Sequence, residues 1–137
     1  MKVSEIMSRD VQVVSPGTSL REAAQLMREQ DIGSLVVGDN DRMIGVITDR
    51  DIVIRGVADG RSLDSAVQSL MSDKVCYCFD SDDVETVAAN MADIEKRRLP
   101  VVDSEKRLVG IVSLGNLASA RQNHVCGEVL QGVAKAH

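Results

Sequence analysis

A chain of 137 residues with 16 basic and 21 acidic side chains, net charge −5, has room for one compact domain and lacks the basic excess of a nucleic-acid surface. Tyr77 and Phe79 are the only aromatic residues, so no stacking platform for bases can form, and any adenine would sit between aliphatic side chains. No apolar run approaches the roughly 20 residues that cross a bilayer, which predicts a soluble protein with no membrane partner. Three cysteines, Cys76, Cys78 and Cys126, and no signal peptide before Lys2 and Glu5, fit a reduced cytoplasm.

In chain order, residues 3–7 read as a short helical turn leading to a brief strand at residues 11–14, which stops at Ser15-Pro16-Gly17 because Pro16 has no N–H to donate. Ser19 with Glu22 three residues on is a capping box, and Leu20, Ala23, Ala24 and Met27 form the inward stripe of the helix it starts. Strands follow at residues 34–37 and 43–48, joined by a turn at Asp39-Asn40-Asp41. A helix from Asp49 to about Ala58 stops near Gly60, and residues 62–70 link onward helically. The order then repeats. A strand at residues 75–79 precedes a helix from about Asp83 with Val84, Val87, Ala88 and Met91 inward, then strands at residues 99–103 and 108–113. Residues 122–137 show weak periodicity, and a frayed helix or disorder is expected there.

The repeat is legible residue by residue. Met7 and Met71, Val11 and Val75, and Met27 and Met91 each stand 64 positions apart, while Gly45 and Gly110 stand 65 apart. Such a period indicates two copies of one small β-α-β-β-α unit, assigned to residues 1–61 and 62–122 with a tail at 123–137. The predicted class is α+β, with pseudo-twofold symmetry and small sheets flanked by helices.

Each copy ends its last strand in one corner: Gly45-Val46-Ile47-Thr48-Asp49-Arg50-Asp51 and Gly110-Ile111-Val112-Ser113-Leu114-Gly115-Asn116. A hydroxyl residue with Asp or Asn three positions later can simply start a helix. Alternatively, it holds a ribose phosphate, the free N–H groups attracting phosphate and the carboxylate accepting from sugar hydroxyls.

With these corners, the Val13-Val14-Ser15-Pro16 turn, Ile32-Gly33-Ser34-Leu35-Val36-Val37 and its partner Arg97-Arg98-Leu99-Pro100-Val101-Val102, the chain resembles the cystathionine-β-synthase (CBS) domain family over roughly residues 1–122. Two copies pair as in a Bateman module, like the stand-alone CBS pairs of bacteria. The resemblance implies a regulatory module binding AMP, ADP, ATP or a related adenosyl ligand in clefts between the copies, with no required cofactor. It also implies a homodimer and a downstream protein partner that the sequence does not name. Carried over, Thr48 and Asp51 contact phosphate or ribose, Ser113 matches the hydroxyl position, and Asn116 departs from the acid. Gly33, in the Ile32–Val37 stretch that carries the resemblance, is counted with the binding residues. Backbone at Val13, Val14, Ser15 and Pro16, and at Tyr77, Cys78 and Phe79, would read the adenine edge, and Arg97 and Arg98 would reach phosphate.

Rival readings are plainer. Arg97 and Arg98 could complement the end of the preceding helix, and Arg50 and Arg55 read as solvated surface charges. Cys76, Cys78, His124 and Cys126 lack the spacing of a zinc set, and Asp80, Asp82 and Asp83 cap a helix rather than hold calcium. His124 and His137 are the only imidazoles, and neither a nucleophile motif nor a Walker loop is present. No metal site and no enzyme are expected. The alternative function is a structural or partner-binding CBS scaffold without ligand.

Overall fold

Ser19 starts the first helix as its spacing requires. Its hydroxyl accepts from Glu22 N at 3.1 Å, and α1 runs over Leu20–Gln30. Leu20, Ala23 and Met27 are buried; Ala24, expected inward, is exposed because the apolar stripe is centred one step round, where Leu26 packs instead. The computed structural model describes residues 1–120 and 123–135. Packing groups residues 12–75 as one unit, and residues 1–11 with the chain from 76 onward as the other.

In the first unit, β1 (Val13–Val14) lies parallel to β2 (Ser34–Asp39), which pairs antiparallel with β3 (Arg42–Thr48), in the order β1-β2-β3. Asn40 and Asp41, with φ of 51° and 64°, form the two-residue turn between them, the mirror-image geometry that follows the strand twist. After β3 comes α2 (Asp49–Asp51), which widens into a π-helical stretch, Ile52–Val57, and closes at Gly60 with φ 70°. The predicted linker helix over residues 62–70 shrinks to a 3-10 turn at Val67–Ser69. Its missing helical bonds have gone elsewhere, since the carbonyls of Leu63 and Ser65 accept from Arg21 N and Leu20 N, two of the orphan amides at the start of α1.

The second unit repeats the order with β4 (Cys78–Phe79), α3 (Val84–Asp93), β5 (Arg98–Val102), β6 (Leu108–Ser113) and α4 (Leu114–Ser119). All four predicted inward residues of α3 are buried. The fold is thus α+β, two three-stranded sheets flanked by helices. The C-terminal expectation is corrected: α5 (Asn123–Lys135) is a helix whose Val129 is fully buried and which packs on α3. Its close approach depends on Gly132, where a Cβ would overlap the Ala92 backbone. A contact made by glycine leaves no hydropathy signal.

Each sheet is sealed by a segment from outside its own β-α-β-β-α run. Ser72 exchanges two backbone hydrogen bonds with Val46 at 3.0 Å, closing the β3 edge, and Ser8 exchanges two with Ile111 at 2.8 Å, closing the β6 edge. Residues 1–11, numbered with the first repeat, therefore pack on the second sheet. The sealing segments lie against Gly45 and Gly110, where a Cβ would stand 2.8 Å from Ser72 O and 2.7 Å from Ser8 O. A methyl group at either position must push backbone aside. We expect Gly45→Ala and Gly110→Ala each to cost about 1–3 kcal/mol, the usual range for overpacking, read as a lower urea midpoint with unchanged slope. A loss below about 0.5 kcal/mol would show that the edges relax freely.

Candidate functional site

At the first corner the reciprocal cap is complete. Thr48 Oγ1 accepts from Asp51 N at 3.0 Å, and Asp51 Oδ2 accepts from Thr48 N at 2.9 Å. The other oxygen of Asp51 accepts from Arg55 Nη2 at 2.8 Å, so Arg55 lies at the surface as expected, 48% exposed, and is in addition a partner of the corner acid. The π-helical stretch that carries Arg55 was not legible. Asp49 N donates to Gly33 O at 3.0 Å, and the Asp49 carboxylate lies over Gly33, 3.1 Å from where a Cβ would be. A Cβ at position 33 would ask the exposed Asp49 carboxylate to give by a few tenths of an ångström.

At the second corner the same cap is built differently. Asn116 N donates to Ser113 Oγ at 3.2 Å, while Asn116 Oδ1 accepts from both Ser113 N at 2.8 Å and Ser113 Oγ at 2.9 Å. The backbone N–H fixes which end of the amide is oxygen. Both lone pairs of that oxygen are then occupied, and only the Nδ2 donors remain free. Arg97 O accepts from Leu114 N at 3.0 Å and Arg98 is the register partner of Ser113. The pair Arg97-Arg98 thus stands where Gly33-Ser34 stands in the first unit, and both arginines are exposed.

The register separates some of the residues predicted to act together. Val13 pairs with Val36 and Val14 with Val37, whereas Thr48 pairs with Ser34. Ser15 and Pro16 therefore continue away from the corner. Ser15 Oγ pairs with Thr18 Oγ1 at 3.1 Å, and Pro16 O accepts from Gln68 N. Gln12, whose carbonyl accepts from Val36 N, is nearer the corner level than any of the four. In the second unit Cys78 pairs with Val101 and Phe79 with Val102, and Phe79 N is occupied by Asp82 Oδ2 at 2.9 Å. Tyr77 is exposed and meets Phe79 edge to face at 5.8 Å. Continued backwards, that register brings Val75 to the Arg98 level and Cys76 one step beyond it. The 64-residue offset between Gln12 and Cys76 was the available signal for both. β1 and β4 are edge strands, as backbone readout of a base requires. A cavity of about 410 Å³ lined by Met1, Glu5, Ile6, Asn116, Ser119 and Ala120 opens beside the second corner. Asn116 alone of the predicted residues reaches it.

Comparison with known proteins identifies the two repeats. The CBS domain model matches residues 3–56 and 67–123. Hypoxic response protein 1 of Mycobacterium tuberculosis is 37% identical over 131 residues, covering 94% of this chain and 91% of that protein. The crystal structure of Hypoxic Response Protein I with two coordinated zinc ions superposes with a TM-score of 0.79 at 36% identity, covering 87% and 98%. CBSX2, a protein of Arabidopsis thaliana, in complex with AMP gives 0.78 at 29%, covering 90% and 97%. The CBS domain pair of MJ0100 in complex with 5-methylthioadenosine and S-adenosyl-L-methionine gives 0.77 at 25%, covering 90% and 98%.

Among the described residues of this chain, no group of three or more His, Cys, Asp or Glu side chains could hold a metal ion. The side chains of His124 and Cys126, and His137 altogether, lie outside the described ones. Asp82 accepts from Phe79 N, and Asp83 precedes α3 without a side-chain cap. Cys78 is buried, its Sγ donating to Pro100 O at 3.8 Å; desolvation first, and the Asp82 charge second, push its pKa from 9.0 up to about 12. A raised acid favours the protonated folded state, so this stabilisation is complete below pH 9 and is lost as pH climbs from 9 towards 12. We expect the parent to lose stability across that window more steeply than Cys78→Ala in pH-dependent urea titrations. Identical slopes would remove the buried thiol from the account.

Proposed function

The chain belongs to the CBS domain family as a tandem pair of repeats, and from that premise we propose that it is a regulatory module that binds an adenine nucleotide or another adenosyl ligand and catalyses no reaction. The observation that carries this reading is the free acceptor capacity of Asp51. A carboxylate has about four lone-pair sites; Thr48 N and Arg55 Nη2 use one on each oxygen. Two sites remain, one on each oxygen, as vicinal ribose hydroxyls require. The side chain is 19% exposed, enough to be reached and too little to be well hydrated. AMP, 5-methylthioadenosine and S-adenosyl-L-methionine, the ligands in the CBSX2 and MJ0100 complexes, share this adenosine core. A cytoplasmic setting accords with such ligands.

Two measurements test the reading. Mass spectrometry of small molecules released from the purified protein needs no guess about the ligand. In calorimetry, Asp51→Asn keeps the cap, as Asn116 does in the second unit, but removes the charge from the ribose acceptor. We expect it to weaken adenosine and AMP alike by about ten- to hundredfold, the equivalent of one charge-assisted hydrogen bond, with 2′,3′-dideoxyadenosine unaffected. Unchanged adenosine affinity in a folded variant would reduce Asp51 to a helix cap.

A second reading, a ligand-free scaffold that binds a protein, is favoured by one observation. Val53, Ile54 and Val57 project from the π-helical stretch with 54%, 49% and 61% exposure, an apolar strip of the kind that marks an interface. We propose that a second copy of the chain covers it, giving a homodimer, with a downstream protein as the further partner. Light scattering should then give about twice the 14.8 kDa chain mass at micromolar concentration, and Val53→Asp with Val57→Asp should return it to one. A monomeric parent would leave the strip to another protein.

A further inference from the structure

Both sealed edges are closed by the same dipeptide. Met7-Ser8 closes β6 and Met71-Ser72 closes β3, the two copies standing 64 positions apart. The serine supplies the backbone exchange, and the methionine before it lays its thioether over the glycine of the strand. Met71 Sδ stands 2.5 Å from where a Cβ of Gly45 would be, and Met7 Sδ 2.7 Å from the same point at Gly110. The two methionines differ in shelter. Met7 is 9% exposed and belongs to the core of its unit, whereas Met71 is partly exposed and packs against the outside of its own. Of the others, Met27 and Met91 are buried, Met1 is exposed, and Met43 is partly exposed on β3 itself.

We infer that Met71 is an oxidation site through which a peroxide opens the β3 edge. A lone pair of the thioether sulfur attacks one oxygen of hydrogen peroxide, the O–O bond breaks, and the other oxygen leaves as water carrying both protons. Sulfur is oxidised by two electrons to the sulfoxide as the peroxide is reduced, and no further reactant is consumed. The reaction replaces a soft apolar atom by a polar S–O group that needs a donor. Val46 N, the donor that β3 turns toward this segment, is already given to Ser72 O at 3.0 Å, and the space between the sulfur and Gly45 is too small even for a methyl group. A buried polar group without a partner is costly, so the sulfoxide turns to water and draws residues 71–72 from the strand. The β6 seal is spared because Met7 is enclosed. β3 ends at Thr48, so opening its edge loosens the Thr48–Asp51 cap, whatever ligand that corner holds.

The test treats the folded protein with hydrogen peroxide and then with dithiothreitol, which restores oxidised thiols such as that of exposed Cys76 and leaves sulfoxides in place. Peptide mass spectrometry should find Met71 oxidised about tenfold faster than Met7, Met27 and Met91. Amide hydrogen exchange across residues 46–51 should then rise about tenfold, that across residues 111–116 should stay unchanged, and a methionine sulfoxide reductase should restore the original rate. Met71→Leu keeps the apolar bulk without the sulfur, and it should exchange like the untreated parent before and after peroxide. Should that variant fail to fold, Met43→Leu removes the other accessible sulfur of this edge and should keep the full response. Met71 oxidising no faster than the buried methionines, or oxidised protein whose residues 46–51 exchange at the parent rate, would overturn the inference. So would a peroxide response that survives in Met71→Leu or vanishes in Met43→Leu.

Discussion

An unpaired strand edge is a row of backbone donors and acceptors waiting for a partner, and in each unit the chain closes one such edge with two hydrogen bonds from a distant segment. The closure is possible only because the middle of β3 and of β6 carries glycine, which lets Ser72 and Ser8 come within a distance no side chain permits. The strand so held runs straight into the corner at Thr48 or Ser113. A slip of one residue in β3 or β6 would turn the cap hydroxyl to the opposite face of the sheet. The edge bonds therefore fix the register on which both corners depend.

A capping box spends side-chain atoms on the backbone, and what it leaves unspent decides what the corner can hold. The two units share the box and differ by one atom. An aspartate closes it with one oxygen and keeps another; an asparagine closes it with its only oxygen and keeps a nitrogen. The helix that follows needs either residue equally, so this difference costs the fold nothing and is open to functional choice. Arg55 adds a second layer at the first corner, since one turn further along its guanidinium orients the carboxylate and offsets its charge. Ala120 occupies the corresponding position in the second unit.

Much of the fold was legible because its determinants are local. Ser19, the turn at Asn40-Asp41, the stop at Gly60 and the stripe Val84, Val87, Ala88 and Met91 all act within one or two turns of chain, and each does in the structure what its spacing announces, although only the Ser19 half of the box with Glu22 forms. The misses share the opposite property. Residues 62–70 have helical composition, but their carbonyls are claimed by α1 across more than 40 positions of sequence. α5 is held by a glycine against α3, a contact invisible to any hydropathy pattern. At the site, the cap pairs could be read from spacing, while the Arg55 bond depended on its side chain turning back to Asp51, and the place of Ser15 and Pro16 depended on a parallel register that no turn motif encodes.

Residues 1–11 belong with the chain from 76 onward, whereas residues 12–75 are a continuous stretch. During synthesis, which runs from the N-terminus, the continuous unit can finish folding while its successor is still being made. The first eleven residues have no such option, because the partners of Ser8 and Val3 are Ile111 and Asp82. They must wait, unpaired, until most of the chain has emerged. Met1, Ile6 and Met7 keep that waiting segment modestly apolar, and Lys2, Glu5, Arg9 and Asp10 keep it charged, a composition that resists collapse onto the wrong sheet. The order in which the ribosome releases the two units is thereby written into which end of the chain was exchanged.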